Sequence, residues 1–153
     1  MTKLHFKTIR AIADQIRTSQ ISPIELANYM LARINTRDGQ LKSYATIMAD
    51  NALKEAKAAE EEIAQGHYRG PLHGVPIAVK DLCFTNGVRT MGGCTVLMDH
   101  VPKFDATVVA RLREAGAILL GKLNLTEGAM AGYNPKFNVP ENPWKASHWS
   151  GAS

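Results

Sequence analysis

The chain has 153 residues, 45% hydrophobic and 21% charged, the proportions of one domain with a packed core. Eighteen basic and fourteen acidic residues leave a net charge of +4, but the excess is scattered, and Lys54 and Lys57 lie among Glu55, Glu60, Glu61 and Glu62. This pattern argues against a nucleic-acid partner. No apolar run reaches the roughly 18 residues that span a bilayer, so no membrane partner is expected.

Lys3 and Lys7 precede no apolar core, which argues against a signal peptide. The two cysteines, Cys83 and Cys94, form no C-x-x-C pair. Both features point to a cytoplasmic protein with reduced thiols.

In chain order, Thr8 is placed to N-cap a short amphipathic helix in which Ile9, Ile12, Ala13 and Ile16 share one face. Ser22-Pro23-Ile24-Glu25 combines a serine N-cap, a proline at the first helical position and a glutamate that closes a capping box. The helix it starts carries Ala27, Met30, Leu31 and Ile34 as an apolar stripe, with Gly39 as its stop. These two helices predict a helical hairpin over about residues 8–36.

Tyr44 to Ile47 reads as a short strand, and Ala49 to Gln65 as a long helix closed by Gly66. The alanine-rich face of that helix, Ala52, Ala56 and Ala59, allows close approach to a neighbour. Residues 75–80 alternate with period 2, Val75, Ile77 and Val79 against Ala78 and Lys80, as a strand does. Asn86-Gly87 and Gly92-Gly93 are turn signals. Asp105 is placed to N-cap a helix ending at Gly116, and residues 117–121 form an apolar run suited to a strand buried on both faces. Strand, helix and strand in this order predict a right-handed crossover in a largely parallel sheet. From Gly128 the periodicity fades into a long loop rich in Gly, Asn and Pro.

Few residues in this pattern suggest chemistry. Lys80, at the end of an apolar strand beside a small alanine, is either a lysine reaching for water or a desolvated base or nucleophile. Ser153 is a turn residue or a hydroxyl that acts only with a base in hydrogen-bond reach. His73 could be a base, although a histidine closing the approach to a strand is the plainer reading. Cys94, after Gly92-Gly93, could be a nucleophile, although a small residue filling a tight turn suffices. The five histidines form no H-x-x-x-H pair, and no glycine-rich piece matches a nucleotide-binding pattern, so neither a zinc site nor a nucleotide site is read here.

Several ordered blocks resemble the amidase signature family of serine hydrolases. They are G-P-L-H-G-V-P-I-A-V-K-D at 70–81, D-A-T-V-V-A-R-L-R-E-A-G-A-I-L-L-G-K-L-N at 105–124, and N-P-W at 142–144 leading to G-A-S at 151–153. The S-P-I-E-L helix start is also similar. The likeness covers nearly the whole chain and implies an α/β fold: N-terminal helices, then part of a mixed, largely parallel sheet flanked by helices. Residues 1–153 would then be one partial domain, its α/β core starting near residue 44.

The resemblance implies amide-bond hydrolysis by a Ser-Ser-Lys triad on a small-molecule carboxamide, with no cofactor. Lys80 matches the family's general base, and Ser153 matches the bridging serine at a cis peptide. Gly128, Ala129, Met130 and Ala131 match the loop bordering the acyl site. The nucleophilic serine would follow Ser153, so the 153 residues alone are expected to be inactive. Ala152 stands where many members carry glycine. The alternatives are an amidotransferase component that handles glutaminyl-type substrates, or a non-catalytic fragment.

Overall fold

A computed structural model describes residues 3–130 and 132–151. Its elements are α1 (Ile9–Arg17), α2 (Pro23–Leu41), β1 (Tyr44–Ile47), α3 (Ala49–Ala64), β2 (Pro76–Lys80), α4 (Thr107–Glu114) and β3 (Ile118–Leu123). They fall into two compact units. The first takes the chain as far as Ile34, then Met48–Ile77 and Arg111–Leu120. The second takes Asn35–Ile47, Ala78–Ala110 and the chain from Gly121 onward.

The helix starts form as the sequence suggests. Thr8 Oγ1 accepts from Ala11 N–H at 3.2 Å and caps α1. At α2 both bonds of the capping box are present: Glu25 N–H donates to Ser22 Oγ at 3.1 Å, and Ser22 N–H donates to Glu25 Oε2 at 2.9 Å. Gly39 does not stop α2, which continues to Leu41. The stop comes at Lys42, whose φ is 52°. Asp38 supports it by accepting from the N–H groups of Ser43 and Tyr44, at 2.7 and 3.4 Å. A carboxylate one turn before the end collects the N–H groups of the departing chain, and a glycine that meets no obstacle stays helical.

In the first unit, Ile12, Ile16, Leu26 and Val75 form a buried cluster covered by Leu4, Ile21, Met30 and Ile63. The alanine face of α3 is buried at Ala52, Ala56 and Ala59. Arg69 ties the chain down near the C-terminus of α4. Its guanidinium holds Glu62 through two bonds, at 2.8 and 2.5 Å, and donates to the carbonyls of Arg113 and Glu114. Those are carbonyls that a helix end leaves without an intrahelical partner. His73, only 1% exposed, sits beneath this clamp. Its Nδ1 accepts from Arg69 N–H at 3.1 Å, which leaves the proton on Nε2, 3.3 Å from Glu62 Oε2.

The sheet has the order β1-β3-β2. β1 runs antiparallel to β3, with Tyr44 opposite Leu123 and Ile47 opposite Gly121. Beside β2 the chain directions agree: Ile118 N–H donates to Val75 O in the first unit, and Asp81 N–H donates to Leu123 O in the second. The sheet is therefore mixed. β3 is buried over Ile118–Lys122 and extends two residues beyond the run 117–121 read from the sequence.

Candidate active site

Lys80 is the last residue of β2 and is half-buried. Among the described residues, nothing forms a hydrogen bond or ion pair with its ammonium. Its carbonyl accepts from Cys83 N–H at 2.9 Å, which turns the chain immediately after the strand.

Asp81, the next residue, is fully buried and makes four contacts in different directions. Its N–H donates to Leu123 O at 2.9 Å, and its carbonyl accepts from Gly92 N–H at 3.0 Å. Its Oδ2 accepts from Met91 N–H at 2.9 Å. Its Oδ1 lies 3.3 Å from Lys122 Nζ, as an ion pair and not an aligned hydrogen bond. Lys122 has no exposed surface, and its ammonium donates to Thr90 Oγ1 at 2.6 Å. Thr90 Oγ1 in turn donates to Val88 O at 3.1 Å. Loss of hydration pushes the Lys122 pKa down from its ordinary value, and the Asp81 carboxylate opposes that shift.

The loop after Asp81 is ordered around these contacts. Thr85 and Val88 form an isolated bridge across a turn with Gly87 at φ 71°. Gly92 and Gly93 both take left-handed φ, at 59° and 69°. A side chain at Gly93 would also meet the carbonyls of Leu125 and Thr126 at 3.0 and 3.1 Å and push the two backbones apart by a few tenths of an ångström, on top of the strained φ. Gly92 O accepts from Gly128 N–H at 2.8 Å. Gly128 and Ala129 turn there with φ of 60° and 62°. For alanine that conformation is unusual and costs about 1–2 kcal/mol. Gly128 and Met130 are exposed, and Ala129 is half-buried.

Of the residues singled out in the sequence, Lys80, Gly128, Ala129 and Met130 all belong to the second unit. The backbone bonds of Asp81 and Gly92 connect the position after Lys80 to the Gly128 turn. Ala131 and Ser153, with the cis peptide expected at Ser153, lie outside the described residues. The approach to Gly151 is described. Tyr133 Oη donates to Gly151 O at 2.8 Å, and Asn142 holds its loop by donating to Trp149 O at 3.0 Å and accepting from Trp144 N–H at 2.9 Å. Lys42 and Glu141 pair at 2.6 Å and fasten that loop further back.

Pattern reading missed the buried network of Asp81, Thr90 and Lys122. A signal was available, because Lys122 directly follows an apolar run suited to burial on both faces. Ending that strand at Gly121 concealed it. Among the described residues, no group of three or more His, Cys, Asp or Glu side chains is gathered as a metal site, and Cys83 and Cys94 are free thiols. Among the same residues, no helix is long and apolar enough to cross a membrane.

A family model described as Amidase matches residues 25–153. The chain is 53% identical over 142 residues to the protein named "Putative amidase AmiD" of Mycobacterium tuberculosis, a match covering 93% of this chain and 30% of that protein. It is 42% identical over 153 residues to a Glutamyl-tRNA(Gln) amidotransferase subunit of Moorella thermoacetica, covering 99% of this chain and 31% of the other. The solved structure of native peptide amidase from Stenotrophomonas maltophilia aligns with a TM-score of 0.87 at 31% identity, over 94% of this chain and 31% of that one. The chain thus spans 30% to 31% of the length of these relatives.

Proposed function

This chain belongs to the Amidase family, and on that premise we propose that it supplies the general base and the relay serine of an amide hydrolase. Lys80 is the base and Ser153 the bridge, and Gly128, Ala129, Met130 and Ala131 border the acyl site. The nucleophilic serine lies after Ser153. Its Oγ attacks the carboxamide carbon while its proton passes through the Ser153 hydroxyl to the neutral Lys80 amine. The C–N bond then breaks, the proton goes to the departing ammonia or amine, and water hydrolyses the acyl-enzyme.

The observation that carries this reading is the state of the two residues at the end of β2. A lysine base must release its proton to act, and a carboxylate bound to it would oppose that. The carboxylate beside Lys80 is Asp81, and Lys122 and Met91 N–H already engage it. Lys80 is left half-buried with no partner among the described residues.

The test is to place the chain in the matching stretch of the mycobacterial relative and assay hydrolysis of simple carboxamides. Lys80→Ala is expected to lower kcat by about 100-fold or more, the usual effect of removing a general base. Near-parental turnover in Lys80→Ala sinks the assignment. The 153-residue chain alone is expected to show no serine-dependent hydrolysis. The likeness to the Moorella amidotransferase protein favours one second reading, a component that handles glutaminyl-type substrates together with partners. Strict dependence of product formation on ammonia or a glutamine donor in the whole protein would select it.

A further inference from the structure

Replacing a fully buried ion pair by apolar side chains of similar size is often neutral or stabilising, so stability alone gives little reason to keep Lys122 and Asp81 charged. Their contacts suggest another reason. Thr90, Met91 and Gly92 are consecutive, and each is bound by one member of the pair: Thr90 Oγ1 by Lys122, and the N–H groups of Met91 and Gly92 by Asp81. Gly92 O in turn holds Gly128 N–H. The same aspartate is bonded through its backbone to Leu123 O on β3.

We propose that Lys122 is a positioning residue for the Lys80 centre. Its ammonium, clamped between Asp81 and Thr90, fixes the distance from the end of β2 to the Glu127–Ala129 turn. Without that charge, Asp81 is buried with one oxygen uncompensated and swings or protonates, and the 90–92 segment is no longer pinned along its length. Gly128 then moves with Gly92. The proposal rests on the reading of Lys80 and the 128–131 loop as one active centre, but its first test needs no turnover.

Lys122→Met keeps the bulk and removes the charge. In the 153-residue chain, hydrogen exchange at the Met91, Gly92 and Gly128 amides is expected to accelerate by roughly tenfold or more. The Ile118 amide, bonded to Val75 O, is expected to stay within about twofold. Thr90→Val, which keeps the shape but loses the acceptor, should produce the same local pattern, and Thr90→Ser, which restores the oxygen, should not. If Lys122→Met fails to fold, the Thr90 pair decides. Unchanged exchange at all three amides, or equal loss at Ile118 in the variants, overturns the proposal.

In the chimera with the mycobacterial relative, Lys122→Met is expected to lower kcat roughly tenfold or more, while Thr90→Ser remains near the parent. Lost protection with intact kcat also overturns it. If Lys80→Ala leaves turnover intact, the proposed function has failed, and the exchange measurement decides the clamp alone.

Discussion

Gly116 follows α4, and replacing it with alanine has two separable costs. Its φ is +80°, where an L-residue is strained by about 1–2 kcal/mol. The added Cβ would also overlap His73 Cδ2 and lie 2.9 Å from Cγ and 3.2 Å from the His73 Cα. The ring cannot step aside freely. It is buried, its Nδ1 is held by Arg69 N–H, and its Nε2 faces Glu62. Overpacking at such a place costs about 1–3 kcal/mol.

Together these make Gly116→Ala about 2–5 kcal/mol less stable, a large part of the roughly 5–15 kcal/mol a domain has. Urea denaturation should show a lower midpoint with an unchanged slope. On a His73→Ala background the ring is gone and the backbone strain remains with only the 3.2 Å approach to the residue 73 Cα, so the cycle should give a coupling of about 1–3 kcal/mol. Gly116→Ala within about 0.5 kcal/mol of the parent, or no coupling to His73, would refute the argument.

Gly39→Ala should act in the opposite direction. Gly39 lies inside α2 with nothing within 4 Å of an added Cβ, so alanine should stabilise the chain by about 0.5–1 kcal/mol. A loss of stability would mean that the last turns of α2 are not helical in solution. The pH dependence follows from His73, where burial pushes the pKa below its ordinary 6.5 and Glu62 only partly opposes the shift. Below pH 6.5 the unfolded chain takes up this proton before the folded one, so stability should fall as the pH drops. Glu62, held low by its hydrogen bond to Arg69, should add a second loss below pH 4.5. Denaturation midpoints between about pH 5 and 8 should slope for the parent and flatten for His73→Ala, and parallel profiles would count against the assignment.

Local chemistry was the readable part of the sequence. Ser22 and Glu25 are three residues apart, and each supplies what the other's backbone lacks, so the start of α2 could be found without knowing its surroundings. Thr8 and the alternation in residues 75–80 were visible for the same reason. The end of α2 was misread because glycine permits a stop without forcing one, and Asp38 and Lys42 decided it. The candidate site was legible only in part. Pattern alone left Lys80 an awkward lysine at a strand end, and only the family likeness suggested the role proposed for it. The apolar run before Lys122 hinted at its burial, but the partners that decide it were hidden, since Thr90 is 32 residues away. The sheet order was hidden for the same reason.

The contacts around Asp81 and β3 therefore also say something about time. Lys122 meets Thr90 across 32 residues, and Asn124 donates to Lys42 O across 82. Such contacts require large loops to close before they contribute, whereas α1 and α2 can form from neighbours in the chain. During synthesis, Lys42, Asp81 and Thr90 all emerge before β3 and must wait for it. The place where chemistry is proposed therefore assembles later than the helices, which need only neighbours in the chain.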